Sequence, residues 1–156
     1  MMDVTERLSA FEEIANIKAK YCYYADTKDW AGLAMLFADH AVFDIRAALA
    51  VDPDNTDDMF SSDGYQIGKG NIIASVVATS PKVIKTVHHC HNPEFTVISD
   101  SKISVVWPME DRIFFVNGDP VNLMHGFGHY HDTYEKIQGK WLITEVRLTR
   151  LHIEFT

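Results

Sequence analysis

Apolar residues return at helical spacing along the first part of the chain. At 100° per residue, Ile14, Ile17, Tyr21, Tyr24 and Ala25 share one arc, with Glu12, Glu13, Asn16 and Lys20 opposite. This pattern predicts an amphipathic first helix ending near Asp26. Asp29 reads as the N-cap of a second helix over 30–37, where Trp30, Leu33, Leu36 and Phe37 form an apolar stripe. A short strand over 41–45 follows, and Gly70-Asn71 opens a third helix that Ser80-Pro81 stops after Thr79. From Val83 the period drops to two, predicting strands over 85–91, 94–98, 102–116, 123–137 and 141–155. Asp100-Ser101 punctuates them, and Asn117-Gly118 and Gln138-Gly139 read as short hairpin turns. Helices followed by long antiparallel strands predict one α+β domain over 1–156, with the sheet curling around the helices.

The stretch over 50–65 keeps neither period. Asp52, Pro53, Asp54, Asn55, Asp57, Asp58, Ser61, Ser62, Asp63 and Gly64 dominate it, so it reads as a mobile loop that buries little. Met59, Phe60 and Tyr65 within it are apolar enough to fold over a cavity as a lid. Acidic residues outnumber basic ones by 22 to 14, and the resulting charge of -8 argues against nucleic acid or an anionic membrane surface as partner. No apolar run approaches the roughly 20 residues of a membrane span. The opening Met1-Met2-Asp3-Val4-Thr5-Glu6 lacks the cationic start and apolar middle of a signal peptide. Cys22 and Cys90 form no disulfide framework and read as small buried hydrophobes in a reducing, cytoplasmic setting.

Candidate chemistry begins with Asp26, which projects to the edge of the apolar arc at a helix C-terminus. An acid there meets both burial and the unfavourable end of the helix dipole. Two readings stand side by side: a turn cap over 26–29, or an acid with a perturbed pKa that takes part in proton transfer. In the strand over 102–116, alternation places Ile103, Val105, Trp107, Met109, Asp111, Ile113 and Phe115 on one face. Asp111 is the one acid in that stripe and requires a polar partner, unless a bulge at Pro108 exchanges the faces. Six of the eight histidines are His88, His89, His91, His125, His129 and His131. The spacing of His129, His131 and Glu135 loosely matches a metal-binding His-x-His-x3-Glu element. Its glycine spacing is absent and no second metal motif completes it, so no metal is expected. A neutral imidazole acting as general base is the competing use of a histidine, and periodicity leaves open which one.

The residues themselves resemble a known family. Ala15-Asn16-Ile17-Lys18-Ala19-Lys20-Tyr21-Cys22, Asp26, Asp29-Trp30 and Leu33-Ala34-Met35-Leu36-Phe37-Ala38-Asp39 are similar to the opening of SnoaL-like proteins, in the nuclear-transport-factor-2-like superfamily. The likeness continues through Thr86-Val87-His88-His89-Cys90-His91-Asn92-Pro93-Glu94, Gly128-His129-Tyr130-His131-Asp132-Thr133-Tyr134, Gly139-Lys140-Trp141 and Arg147-Leu148-Thr149-Arg150-Leu151. It implies a cone, a strongly curved mixed or antiparallel sheet around N-terminal helices with a pocket in the open end. It also implies cofactor-independent elimination or isomerisation of a small hydrophobic cyclic substrate, polyketide-, steroid- or terpenoid-like, as in the scytalone and bile acid dehydratases and hexachlorocyclohexane dehydrochlorinase.

By that resemblance His88 is the base and Asp26 orients it. Tyr21 and one of Arg147 and Arg150, which alternate faces, stabilise developing charge. Asp111, protonated in its apolar stripe, returns a proton. Trp107, Met109, Phe115, Phe127 and Tyr130 would form the substrate wall, with ordinary core as the competing reading of the first four. Acidic and aromatic residues replace the second histidine and the Ser/Asn pair of scytalone dehydratase, which argues against a scytalone-type substrate. The alternative is a non-catalytic ligand-binding module or a small subunit of a ring-hydroxylating oxygenase. An enclosed His88–Asp26 pair would favour the enzyme, and a collapsed pocket the alternative. A homo-oligomer, dimer or trimer, is expected to cover Val106, Phe114 and Val116 on the outer sheet face.

Overall fold

The computed structural model describes residues 2–52, 63–118 and 121–156. Helix α1 (Val4–Thr27) starts in a capping box: Glu6 N–H donates to Asp3 Oδ1 at 2.8 Å, and Asp3 N–H donates to Glu6 Oε2 at 2.9 Å. It stops at Lys28, whose φ of 57° is left-handed. Asp29 then caps α2 (Trp30–Ala34) by accepting from Gly32 N–H at 2.8 Å. The second helix is shorter than its stripe predicts. Phe37, buried at 1 % exposure, leaves the helix to open strand β1 (Phe37–Asp44) and pair with Ile143, so tertiary pairing overrides local periodicity. A single turn, α3 (Arg46–Leu49), was not legible in the sequence. Strand β2 (Tyr65–Ile67), α4 (Lys69–Thr79), β3 (Val83–Cys90), β4 (Glu94–Ser99), β5 (Lys102–Phe115), β6 (Leu123–Ile137) and β7 (Lys140–Phe155) follow. The suggested lid residues Met59 and Phe60 lie outside the described residues. Tyr65 belongs to β2, with its ring under the Arg46 guanidinium at 4.2 Å.

Among the described residues seven strands make one sheet in the order β2-β1-β7-β6-β5-β3, with β4 also on β5. Among the described residues only the β1–β7 pairing is parallel; the others are antiparallel. β3 covers the second half of β5 and β4 the first half. Pro108 falls at the junction between them, where its carbonyl accepts from His91 N–H at 2.8 Å. Its missing donor therefore interrupts no continuous ladder, no bulge forms, and the faces stay as alternation predicts. The β6–β7 hairpin turns on Gln138 (φ 50°) and Gly139 (φ 82°), the left-handed pair that a two-residue turn needs. The β5–β6 connection is longer than the two-residue turn expected at Asn117-Gly118, and Phe115 N–H closes it onto Asn122 C=O.

β7 carries two extra residues relative to β6, at Thr144 and Leu151. Such bulges bend a strand and change which side chains face inward. Ile14, Tyr21, Phe37, Ile103, Val105, Trp107, Tyr134 and Ile143 form the main core between α1 and the concave sheet face. Among the described residues no helix is long and apolar enough to cross a membrane.

Candidate active site

α1 lies across β3, and this contact assembles the first part of the site. The Asp26 carboxylate accepts three hydrogen bonds: from the His88 ring Nδ1 at 2.6 Å, from His88 backbone N–H at 3.0 Å and from Thr86 Oγ1 at 2.8 Å. Asp26 is therefore not the cap of the turn over 26–29; backbone geometry at Lys28 and the Asp29 cap serve there. Burial alone would raise the Asp26 pKa, but the His88 and Thr86 bonds outweigh it and hold it below the usual carboxylate value. An ionised carboxylate only accepts, so Nδ1 of His88 donates and Nε2 is left facing the cavity. Burial depresses His88, yet Asp26 and the charge of Asp111 more than compensate, so its pKa lies above the ordinary imidazole value.

The second part comes from the sheet. Asp111 is 2 % exposed and takes both arms of Arg150, each at 2.7 Å. Both carboxylate oxygens act as acceptors in this fork, which replaces the expected protonated Asp111 by one half of a buried ion pair. Gly126 on β6 makes the fork possible: a Cβ there would collide with the Arg150 guanidinium and lie 2.7 Å from Asp111 Oδ1. Sequence reasoning missed this glycine. Arg147 is exposed and Arg150 faces inward.

His88, Asp111 and Arg150 meet Tyr21 and Tyr130 at one end of a cavity of about 170 Å³. Burial pushes both tyrosine hydroxyls well above their usual pKa, with Asp132 adding to the effect at Tyr21 and Tyr21 at Tyr130. They stay neutral donors. The apolar wall is Trp30, Leu33, Phe43, Ile45, Val76 and Met124 among others. Of the expected wall, only Tyr130 lines the cavity. Trp107, Met109 and Phe115 point inward but are core, and Phe127 lies on the outer face, its ring 4.2 Å from that of His125. The true wall comes mainly from α2, β1, α3 and α4, which strand alternation could not reveal.

Behind the tyrosines is a second buried ion pair that the sequence did not disclose. Lys18, 1 % exposed, donates to Asp132 at 2.9 Å, and Tyr134 Oη donates to the same oxygen at 2.9 Å. The Lys18 ammonium lies 3.6 Å from the Tyr130 ring centre and 4.4 Å from that of Tyr21. Other histidines face outward. His125 and His89 flank Glu110 at 2.9 and 3.3 Å. His131 bonds Thr149, and Glu135 pairs with Lys102. Among the described residues no three His, Cys, Asp or Glu side chains are grouped to hold a metal ion.

A family model described as a SnoaL-like domain matches residues 6–147. The chain belongs to the SnoaL-like family. A probable cyclase of Gibberella zeae is 26 % identical to this SnoaL-like chain over 150 residues, 86 % of this chain and 87 % of that protein. Among solved structures, a candidate scytalone dehydratase of Novosphingobium aromaticivorans superposes with a TM-score of 0.81 at 16 % identity, covering 99 % of this chain and 92 % of that one. A hexachlorocyclohexane dehydrochlorinase of type 3 from Novosphingobium barchaimii gives 0.81 at 14 % identity, covering 99 % and 94 %. These likenesses establish the nuclear-transport-factor-2-like cone: N-terminal helices held in a curved sheet that does not close.

Proposed function

We propose that this SnoaL-like protein is a cofactor-independent lyase or isomerase of the dehydratase type, acting on a small hydrophobic cyclic molecule by His/Asp acid–base chemistry. The observation that carries the reading is the 2.6 Å bond from His88 to Asp26, with the His88 ring lining a mostly apolar cavity. Asp26 fixes the tautomer and stabilises the imidazolium that forms; Nε2 of His88 removes a proton made acidic by a neighbouring carbonyl or unsaturation. The negative charge that develops on oxygen meets the Tyr21 and Tyr130 hydroxyls, whose raised pKa values keep them as donors rather than anions. Arg150 stays forked to Asp111, so the pair acts as a fixed dipole beside His88 rather than as a free acid. After proton removal, expulsion of a leaving group gives elimination, and return of the proton by imidazolium to another carbon gives isomerisation.

The names of the similar proteins, a probable cyclase, a candidate scytalone dehydratase and a dehydrochlorinase, support this class. A binding module has no need of a carboxylate-oriented imidazole facing its cavity. Assembly as a dimer or trimer through the outer face around Val106 and Phe114 belongs to the same proposal. The test is incubation with cyclic β-hydroxy and β-halo carbonyl compounds in deuterated water, following new conjugation by absorbance and label at carbon by mass spectrometry. His88→Ala and Asp26→Asn should each abolish both signals with the fold intact. Near-full activity in either variant refutes the mechanism.

A further inference from the structure

The contact between α1 and β3 contains a second pair of side chains that the proposed reaction does not use. Cys22 stands one helical turn before Asp26, and Cys90 stands two residues beyond His88 on the same strand face. Their sulfurs are 3.8 Å apart, in direct contact and unlinked, and both residues are part-buried at the edge of the core rather than sealed in it. We propose that Cys22 and Cys90 form a redox modification site, in which a hydroperoxide oxidises the pair to a disulfide that locks α1 to β3 beside His88 and Asp26.

The surroundings select which sulfur reacts first. The hydrogen bond from Cys90 holds the Cys22 thiol down at about 7; burial opposes this, and Lys18 and His88 assist. The bond to Cys22 and burial push Cys90 up. Lys18 lies one turn before Cys22, so a cation, an imidazole and a thiol donor all favour the Cys22 thiolate against the one adverse charge of Asp26. Oxidation then proceeds in two steps. The Cys22 thiolate attacks the terminal oxygen of the hydroperoxide; an S–O bond forms, the O–O bond breaks, and the departing alkoxide, or hydroxide when hydrogen peroxide is the oxidant, takes a proton and leaves as alcohol or water. The Cys90 sulfur then attacks the Cys22 sulfenic sulfur; the S–S bond forms, the S–O bond breaks, and hydroxide leaves with the Cys90 proton as water. The two thiols lose two electrons, and the hydroperoxide gains them.

The disulfide brings the sulfurs from 3.8 Å to about 2.0 Å, so α1 and β3 must close slightly at a point adjoining the 2.6 Å Asp26–His88 bond. It also removes a titratable thiol whose charge raises the His88 pKa. Only the effect on turnover rests on the catalytic reading of His88; the cross-link and its chemistry stand without it.

The experiment treats the folded protein with hydrogen peroxide at neutral pH, followed by intact mass, peptide mapping and the His88 ring signal in NMR. The expected product is a monomer lighter by two hydrogens, with Cys22 linked to Cys90 and reversible by dithiothreitol. Its His88 titration midpoint should be lower than in the reduced protein. Cys22→Ser and Cys90→Ser should give no such product, and peroxide should leave their His88 midpoint unchanged. Oxygen adducts without linkage, covalent dimers, untouched thiols, or linkage only in urea would each overturn the site. Linkage with the His88 midpoint unmoved would overturn its coupling to the candidate active site.

Discussion

Nε2 of His88 stops 4.0 Å short of Asp111 Oδ2, while Asp111 itself is held by both arms of Arg150. The gap is too long for a hydrogen bond yet short enough for charge to be felt. It leaves the imidazole with one committed partner, Asp26, and one face open to a substrate. The raised His88 pKa follows from burial being outweighed by Asp26 and Asp111, and it predicts that turnover increases with pH through a midpoint above about 6.5. In Asp26→Asn the midpoint should move down, since the charge is lost and the remaining bond is no longer charge-assisted. NMR titration of the His88 ring checks this without a substrate, and an unmoved midpoint contradicts it.

The same shifts set a stability window. His88 has its pKa raised by folding, so its contribution is full below about 6.5 and is lost as pH climbs through the folded value. Asp26 is lowered by folding, so its contribution is present above about 3.9 and is lost as pH falls through the folded value. Urea midpoints measured across pH should decline on both sides in the wild type. In Asp26→Asn both dependences should flatten.

Gly126→Ala should be far more damaging than an added methyl group suggests. The new Cβ occupies the place of the Arg150 guanidinium, so the fork on Asp111 must open. Overpacking of this kind costs about 1–3 kcal/mol. Urea denaturation should register that loss, and proton-abstraction activity should fall with it.

The two C-terminal arginines should separate cleanly. Arg150→Met strands a carboxylate that is 2 % exposed and should cost about 3–5 kcal/mol as well as activity. Arg147→Met, on the exposed face, should stay within about 0.5 kcal/mol of wild type. Equal effects on unfolding and turnover would contradict the assigned orientation.

That separation marks where the sequence was legible and where it was not. Asp111 could be placed inward because β5 alternates strictly over its length and Pro108 happens to fall where no continuous ladder needs its donor. Arg147 and Arg150 could not be told apart, because an extra residue at Thr144 inverts the faces beyond it. Counted inward from Trp141 without that bulge, Arg147 would enter the cavity. Phe127 lies on the outer face because the structure turns Met124, Gly126, Gly128, Tyr130 and Asp132 inward, and its odd spacing from Tyr130 means the two cannot share one wall of a regular strand. His88 is reached through resemblance, since neither periodicity nor spacing singles out one histidine among eight, whereas Asp26 stands out by its place at the edge of the apolar arc. Lys18 escaped notice because its partner, Asp132, is distant in the chain and a lysine on a helix ordinarily faces water.

Lys18→Met tests that buried pair. It leaves Asp132 with Tyr134 alone and should cost about 3–5 kcal/mol, with little loss for the double change Lys18→Met and Asp132→Leu. Equilibrium unfolding of both variants decides it. A small effect in the single variant would overturn the ion pair.

The parallel union of β1 with β7 governs the order in which the molecule comes together. Phe37 meets Ile143, and Tyr21 shares a cavity with Arg150, so the closing contacts join distant parts of the chain. Loop-closure entropy must be met before those contacts reward it, which makes folding slow for the size of the protein. Helix α1 can form early from its own capping box, but the cavity exists only after β7 docks. Refolding followed by far-ultraviolet dichroism should therefore run ahead of the fluorescence of Trp30, which lines the cavity. Until that last step Trp141, Ile143, Val146 and Leu148 are missing from the core and the cavity side chains stand open to water, so a newly made chain is at its most aggregation-prone just before it becomes competent.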